Sequence, residues 1–330
     1  MKAIVTGATG FVGSSVARML LQKGYEVGIL AREKSNLANI EGLDVKIHIG
    51  DLRDPVCLKE AFKGYDFLFH VAADYRLWVP RPEEIYQNNV EGTKNAMEAA
   101  RDAGIKRVVY TSSVATLGLK KDGTPADEET PVSLSDMIGH YKRSKFLAEE
   151  LVRTMVNDGK IDAVIVNPST PVGPRDIKPT PTGKMILEAA KGKMPAYVDT
   201  GLNIVHVDDV AIGHLLALEK GNSGRRYILG GQNMTLRQIL EEIAVITGNT
   251  PPRIRLPHNL ILPVAYMFEA VSKITGKEPL ATVDGVKLAK KKMFFTSKRA
   301  EKELGYSHRP ASLAIRDAVK WFKDNGFLNS

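Results

Sequence analysis

A glycine-rich turn lies between the first apolar run of the chain and its first helical pattern. Residues 2–6 predict a strand, and directly after them come Gly7-Ala8-Thr9-Gly10-Phe11-Val12-Gly13. Glycines at this spacing allow a tight turn and let the backbone N–H groups at the start of a helix approach a phosphate. A strand, a glycine turn and a helix in this order predict the first unit of a dinucleotide-binding α/β fold.

The rest of the amino-terminal half continues the alternation of strand and helix. Apolar runs predict strands at 2–6, 26–31, 45–49, 67–71, 107–111 and 163–166. Apolar residues at helical spacing predict helices at 12–23, 58–62, 91–103 and 140–156. This alternation is typical of βαβ units. It predicts a doubly wound parallel sheet of the Rossmann type.

A proline-rich span from 168 to 181 predicts the crossing into a second domain, because such a span forms neither a helix interior nor a central strand. Beyond it we predict strands at 204–207 and 226–229 and a helix at 236–247, capped by Thr235. The predicted dinucleotide domain comprises residues 1–170 and about 201–225. Residues 171–200 and 226–330 form a smaller, discontinuous, mixed α/β substrate domain.

Residues 254–274 form the longest apolar stretch of the chain. Pro257, Asn259, Pro263 and Glu269 interrupt it. We therefore predict a buried helix rather than a membrane span, with a peripheral lipid contact as the alternative. With no other apolar run of spanning length and no signal-peptide pattern at the amino terminus, we expect a cytoplasmic protein without a transmembrane segment.

Charge and cysteine content exclude several classes of function. The net charge of +8 is spread along the chain, and its densest cluster is Lys290-Lys291-Lys292 with Lys298 and Arg299. No basic stripe with interleaved aromatic residues is present, so we expect no nucleic-acid partner. The single cysteine, Cys57, excludes an internal disulfide and a thiolate metal site, and we predict no metal. A small-molecule anion is the partner that this composition favours.

Three polar residues form the candidate catalytic set. Tyr141 and Lys145 lie one turn apart on a predicted helix, and a nearby ammonium favours a phenolate, which suits proton transfer. Upstream, Thr111-Ser112-Ser113 ends a predicted strand, where a hydroxyl can hydrogen-bond a reacting oxygen. The three elements together predict hydride transfer at a carbon that bears an alcohol or ketone.

The end of the second predicted strand bears on the choice of dinucleotide. Arg32 and Glu33 follow that strand. A guanidinium there pairs with a 2′-phosphate, whereas a carboxylate accepts from a free 2′-hydroxyl and repels the phosphate. Because Arg32 is nearer to the strand end, we predict NADP, with NAD as the alternative.

The glycine turn, Thr111-Ser112-Ser113 and Tyr141-x-x-x-Lys145 together resemble the extended or atypical branch of the short-chain dehydrogenase/reductase superfamily, the NAD-dependent epimerase/dehydratase family. That branch includes nucleotide-sugar epimerases and dihydroflavonol-4-reductase-like enzymes. The resemblance implies that Ser113, rather than Ser112, is the catalytic hydroxyl. It also implies cofactor contacts from Gly7, Thr9, Gly10, Phe11, Val12, Gly13, Asp51, Leu52, Val71, Ala72, Ala73, Tyr141, Lys145 and Pro168.

Two further segments, 73–78 and 201–206, are similar to the hopanoid-associated sugar epimerase group of bacteria. This resemblance implies a sugar-like or polyol substrate, in hopanoid biosynthesis, that is either epimerised or reduced at a ketone. A 4,6-dehydratase is a poorer alternative, because Val114-Ala115 stands where those relatives carry Asp-Glu. A non-catalytic dinucleotide sensor is disfavoured by the complete Ser, Tyr and Lys set.

Residues beside these motifs are candidates for substrate binding and assembly. Tyr75, Trp78 and Arg175, together with Ser113, are the predicted substrate residues. The helices at 91–103 and 140–156 carry more apolar positions than one stripe needs, namely Ala96, Ala100, Phe146, Leu147 and Leu151. Since surplus apolar surface implies a second contact, we predict a homodimer through these helices.

Overall fold

Strands and helices alternate through most of the chain, of which the computed structural model describes residues 1–275, 279 and 282–328. The strands are β1 (Lys2–Thr6), β2 (Glu26–Ala31), β3 (Val45–Ile49), β4 (Phe67–His70), β5 (Arg107–Thr111), β6 (Ala163–Pro168), β7 (Thr170–Val172), β8 (Ala196–Val198), β9 (Gly201–His206), β10 (Arg226–Leu229), β11 (Gln232–Thr235), β12 (Ile254–Leu256) and β13 (Lys292–Met293). The helices are α1 (Phe11–Gln22), α2 (Pro55–Phe62), α3 (Glu83–Tyr86), α4 (Gly92–Asp102), α5 (Gly139–Asn157), α6 (Pro181–Ala190), α7 (Val207–Lys220), α8 (Leu236–Thr247), α9 (His258–Thr275), α10 (Val283–Ala289), α11 (Lys298–Leu304) and α12 (Ala311–Asp324). A π-helical segment, Gln87–Glu91, leads into α4.

The main sheet of the described chain is wholly parallel, in the order β10-β6-β5-β4-β1-β2-β3. Because the strand order reverses between β1 and β4, the glycine turn after β1 opens at the switch point, where ligands bind in such sheets. This topology confirms the predicted doubly wound Rossmann-type sheet.

Two apolar clusters cover the two faces of this sheet. On one face, residues of α1, α7 and α11 pack against the strands, with Val16, Leu215 and Leu304 in the same cluster. On the other face, α2, α4 and α5 supply Leu58, Met97 and Val152. The sequence of the strands reflects this double burial, since central parallel strands read as continuous apolar runs. The interior of β6, for example, is fully buried.

A second, smaller sheet lies beyond β6. In it β9 pairs with β11 in antiparallel fashion and with β7 and β13 in parallel, while β8 and β12 form a separate parallel pair. Helices α6, α8 and α12 pack together against this layer. The predicted cap of α8 is present, because Thr235 Oγ1 accepts from the Gln238 backbone N–H.

Two strands pair in a different sheet from the one that the predicted domain division implies. Arg226–Leu229, assigned from the sequence to the substrate domain, pairs with β6 and is the edge strand of the main sheet. Gly201–His206, assigned to the dinucleotide domain, pairs in the second sheet, although α7 directly after it covers the main sheet. Local sequence patterns indicate a strand but do not reveal which strand lies next to it. The rest of the domain division stays a prediction.

The predicted burial of 254–274 is wrong. The helix α9 exists, but much of it is exposed, and the solvent reaches 66% of Leu260 and 57% of Met267. Its small cluster with α10 involves Ala265, Val283 and Val286. None of the helices among the described residues is long and apolar enough to cross a membrane.

Candidate active site

The glycine turn holds the chain in a conformation that other residues would strain. Gly7 has a φ of +75°, and a Cβ there would stand 2.7 Å from the backbone of Ala72. A Cβ on Gly13 would overlap the carbonyl group of Gly7. The turn therefore packs directly against the segment after β4, and α1 packs directly on the turn. Both close approaches are possible because glycine has no Cβ.

The amino terminus of α1 fits a pyrophosphate. Gly10 precedes α1, and no side chain caps the first N–H groups of the helix. Those groups and the positive end of the helix dipole favour a bound anion. The residues present thus fit the phosphates of a dinucleotide.

The adenosine end of the predicted site lies at the carboxyl ends of β2 and β3. Arg32 follows β2 and is exposed, while Asp51 follows β3, the parallel neighbour. Asp51 makes a bidentate ion pair with Arg53, with distances of 2.9 and 2.8 Å. The hydrogen bond from Arg53, with the charge of Arg32 as a smaller contribution, lowers the pKa of Asp51. Arg53 was missed in the sequence, although its position two residues after Asp51 could have indicated it.

The structure brings Ser113 and Tyr141 together. Ser113 lies just after β5, close enough to Tyr141 in the first turn of α5 for hydrogen bonding with its hydroxyl to lower the pKa of the phenol. Ser113 Oγ also accepts from the Ala115 backbone N–H at 3.1 Å, which orients the hydroxyl. Burial raises the pKa of Tyr141 above its ordinary value, and the bond to Ser113 opposes that rise. At neutral pH the phenol is therefore protonated and can donate.

Lys145 lies one turn further along α5, buried beneath the catalytic hydroxyls. Its Nζ donates to the Tyr110 hydroxyl at 3.1 Å and to the Thr111 carbonyl at 2.8 Å, and it lies 4.7 Å from the centre of the Tyr110 ring. Burial lowers the pKa of Lys145 to about 8, with the charge of Glu149 opposing the fall. The expected lowering of the Tyr141 pKa is not observed, because burial outweighs the other contributions.

A buried carboxylate, Glu149, lies a further turn along the same face of α5. Its Oε2 accepts from Thr116 Oγ1 at 2.9 Å and from Asn167 Nδ2 at 2.8 Å, and its Oε1 lies 3.5 Å from Arg226. A buried charge persists only with such partners. The sequence analysis missed Glu149, although its spacing of four residues from Lys145 places it on the catalytic face.

Three buried polar atoms near the ends of β5 and β6 have no hydrogen-bond partner in the described part of the chain. They are Ser112 Oγ, Asn167 Oδ1 and Ser169 Oγ. Buried polar groups normally find partners. Pro168, predicted to lie along the nicotinamide, stands between two of them at the end of β6. The donors and acceptors at this edge therefore fit the polar head of a nicotinamide nucleotide.

The other predicted cofactor residues surround the turn and the neighbouring strand ends. Phe11 and Val12 begin α1, and the Thr9 carbonyl accepts from Asn39 at 3.3 Å. Asn95 donates to the Leu52 carbonyl at 2.9 Å, and Val71, Ala72 and Ala73 directly follow β4. These positions lie along one edge of the sheet, as a dinucleotide site requires.

The predicted substrate residues fall into two groups. Tyr75 and Trp78 lie in the segment after β4, and Tyr75 is 41% exposed. Arg175, in contrast, adopts a φ of 77° and binds Ser15 of α1 and Asp208 of α7. The Arg175 side chain thus links two helices. It does not bring Arg175 into contact with the catalytic hydroxyls.

Asp176 is a buried acid that the sequence analysis did not identify. Burial raises its pKa to about 6, and hydrogen bonds from Thr180 oppose the rise. Burial first, and then the charge of Asp176, raises the pKa of Tyr75, a predicted substrate residue. No grouping of three or more potential metal ligands occurs among the residues described.

The fold and this edge of polar groups define an α/β enzyme that transfers hydride with a nicotinamide dinucleotide. The sequence profile of the NAD dependent epimerase/dehydratase family matches residues 3–230. The chain belongs to this family, which confirms the resemblance drawn from its motifs. It is an NAD(P)-dependent oxidoreductase or epimerase.

Similar proteins extend over nearly the whole chain. A protein of Synechocystis sp., provisionally named dihydroflavonol 4-reductase, is 45% identical and covers 99% of this chain and 96% of its own. Sterol demethylase protein B of Methylococcus capsulatus is 34% identical, covering 99% of this chain and 100% of its own. The crystal structure of gox2253 shares 54% identity with a TM-score of 0.89, and the match covers 98% of both chains. These comparisons confirm the fold.

Proposed function

We propose that this enzyme uses NADP(H) and acts as a net reductase of a ketone. The observation that carries this proposal is the pair of guanidinium groups, Arg32 and Arg53, beside Asp51 at the adenosine end of the site. Arg32 is exposed, and within the described part of the chain Asp51 pairs with Arg53 rather than with Arg32, so the Arg32 guanidinium suits a 2′-phosphate. Phosphorylated dinucleotides are the usual reductants of biosynthesis, and relatives named as reductases support the same direction.

The protonation of Tyr141 also supports reduction. When bound, the nicotinamide supplies the hydride that adds to the carbonyl carbon. The buried Tyr141 phenol stays protonated at neutral pH and donates its proton to the carbonyl oxygen, while Ser113 hydrogen-bonds that oxygen. Lys145, charged below about pH 8, places a positive charge under the same groups. Carbonyl, hydride and proton then give the secondary alcohol.

The substrate that we propose is a sugar-like or polyol ketone, in hopanoid biosynthesis. Tyr75 and Trp78 support a polyol because each combines an aromatic face with a polar group in the segment next to the cofactor cradle. Incubation with NADPH and a panel of polyol and nucleotide-sugar ketones tests this. Loss of NADPH in proportion to product indicates reduction, whereas isomerisation at constant NADPH concentration identifies an epimerase.

The choice of cofactor can be tested with Arg32→Ala. An ionic hydrogen bond to phosphate contributes about 1.5–3 kcal/mol, so the affinity for NADPH falls roughly 10- to 100-fold while that for NADH changes little. Titration by nucleotide fluorescence measures both. Arg237→Ala, an exposed arginine on α8, is the matched control. Equal losses for both nucleotides in Arg32→Ala would contradict the assignment to the 2′-phosphate.

We also propose a homodimer through α4 and α5. We expected Ala96 and Ala100 to contribute to this dimer. They do not support it, because both are buried in the core between α4 and the sheet. Leu147 is 36% exposed, and Phe146 and Leu151 are half-buried beside it. Light scattering should give a dimeric mass for the wild type and a monomeric mass for Leu147→Glu. A monomeric wild type at micromolar concentration would refute the dimer.

A further inference from the structure

The outward side of α9 is an apolar surface without cover in the described structure. Leu260, Pro263, Val264, Tyr266, Met267 and Val271, here called the α9 face, are all exposed. The opposite side of α9, with Ala265, packs on α10. Leu260, Val264, Met267 and Val271 recur at helical spacing, so they form one stripe rather than scattered exposures. A contiguous exposed apolar stripe marks an interaction surface.

The segment of the sequence that contains α9 is strongly basic. Residues 251–292 contain eight lysines and arginines against three acidic residues, which accounts for +5 of the +8 net charge of the chain. Lys287, Lys290, Lys291 and Lys292 are exposed on and after α10. Among the described residues, the carboxylates near this cluster include Asp199, paired with Arg255 and Lys292, and Asp136, near Lys291. Asp284 lies on α10 itself, and Glu269 of α9 accepts from the Val283 backbone N–H.

Two contacts join the basic cluster to the start of α9. His258 Nε2 lies 3.0 Å from the Ala289 carbonyl oxygen, and Lys290 Nζ lies 3.5 Å from Asn259 Oδ1. Lys290 is therefore held beside the first turn of α9, one residue from Leu260. An exposed ammonium group therefore borders the amino-terminal end of the apolar stripe.

We propose that the α9 face and the lysines after α10 dock the protein onto an anionic lipid bilayer surface. An amphipathic helix with apolar residues on one side and basic residues beside them lies in the interface plane of such a bilayer. Its apolar side enters the acyl boundary, and each nearby lysine is attracted to the anionic headgroups. Tyr266 suits this depth, because its ring is apolar and its hydroxyl is polar.

Charge favours a bilayer over a second copy of this chain. A symmetric dimer through the α9 face would bring two surfaces of the same strong positive charge together, which is unfavourable. An anionic bilayer supplies an apolar acyl boundary for the stripe and the opposite charge for the lysines. The α9 face is therefore assigned to lipid, and the proposed dimer to α4 and α5.

The docking surface lies beside the catalytic helix. The Asp284 carboxylate of α10 approaches Gly139, the first residue of α5, so that a Cβ on Gly139 would stand 3.2 Å from Oδ2. Burial, with the charge of Lys291 as a further cause, lowers the pKa of Lys142 to about 8, which places Lys291 near the same turn. Docking would thus hold the first turn of α5, with Tyr141, close to the headgroups.

Vesicle sedimentation tests the proposal with the purified full-length protein. The wild type should bind vesicles that contain phosphatidylserine, more weakly at high salt, and should bind pure phosphatidylcholine vesicles much less. The double variant Leu260→Glu with Met267→Glu should lose about tenfold or more in affinity, since each residue would otherwise bury an apolar side chain. Lys290→Glu with Lys291→Glu should lose at least about tenfold, with a smaller salt dependence.

Val245→Glu is the matched control. Val245 is 81% exposed on α8, away from the α9 face, so this variant should bind vesicles like the wild type. Unchanged NADPH affinity in every variant shows that the fold and the proposed cofactor site are intact, so a failure of docking is separate from a failure of the proposed function. Docking is overturned if the wild type does not bind phosphatidylserine vesicles or if Leu260→Glu with Met267→Glu binds them equally well. It is also overturned if that variant instead converts a dimer into a monomer in light scattering.

Discussion

Helices α5 and α9 are of similar length, 19 and 18 residues, and depart from the usual pattern of burial in opposite ways. Helix α5 buries two charged side chains, Lys145 and Glu149, whereas α9 exposes the large apolar residues Leu260 and Met267. Buried charges are costly and persist only with partners, and exposed apolar stripes remain available for contact with other molecules. The proposed catalytic residues thus lie where polar groups are forced inward, and the proposed docking surface lies where apolar groups are left outside.

The reason for the difference lies in what packs around each helix. Helix α5 lies on the main sheet, and its charges meet fixed partners in Tyr110, Thr111, Asn167 and Arg226. Within the described residues, helix α9 shares a small apolar cluster with α10. The first environment is preorganised and rigid, which favours catalysis. The second leaves one side of a helix open to a partner.

The sharpest test of the proposed catalytic role of α5 is Tyr141→Phe. The substitution removes only the hydroxyl that donates the proton, so turnover of a ketone that the wild type reduces should fall by about 10²- to 10⁴-fold. NADPH affinity should change little. Tyr86→Phe removes a hydroxyl that contacts His140 outside the catalytic set and is the control. Near wild-type turnover in Tyr141→Phe would show that another group transfers the proton.

A pair of truncations compares the packing of the two helices. Val152→Ala on α5 leaves a cavity at a fully buried position and should lower the free energy of unfolding by about 1–3 kcal/mol. Leu260→Ala on α9 should change it by less than about 0.5 kcal/mol, because Leu260 already faces solvent. Urea denaturation measures both variants. A large loss in Leu260→Ala would mean that the α9 face is covered within the protein.

The smallest expected effect concerns the positioning of charge on α5. The charge of Glu149 raises the pKa of Lys145, so Glu149→Gln should lower that pKa below its value of about 8. If turnover requires the ammonium, activity is present below this pKa and is lost as the pH rises through it. The alkaline limb of the pH–activity profile should therefore move to lower pH. Glu150→Gln, a partly exposed neighbour paired with Arg153, should leave the limb in place. An unmoved limb in Glu149→Gln would exclude the coupling to Lys145.

The elements predicted most accurately are those whose sequence pattern is local. The predicted strands 2–6, 26–31, 45–49 and 107–111 have the observed bounds, and the helix 236–247 begins at the predicted cap. The glycine turn and the Tyr141 to Lys145 spacing likewise express local geometry, since both depend on neighbouring positions along one turn or helix. For this reason the family could be predicted without the structure, and the proposed catalytic set could be named.

Other features depend on residues that are distant in sequence. Arg226 lies 77 positions after Glu149, and only the pairing of β10 with β6 brings them together. The pKa of Tyr141 follows the burial of its hydroxyl rather than the proximity of Lys145, and burial depends on packing.

The amino-acid sequence by itself determined the order of strands and helices, the glycine turn and the spacing of Tyr141 and Lys145, because these arise from periodicity and from steric limits on neighbouring residues. The tertiary structure alone decided which strands are neighbours, which charges are buried and paired, and which apolar faces are covered. The helix α9 illustrates this, since its apolar residues are evident in the sequence. Whether they are buried depends on whether another part of the molecule packs against them, and that long-range contact is not encoded in a local pattern.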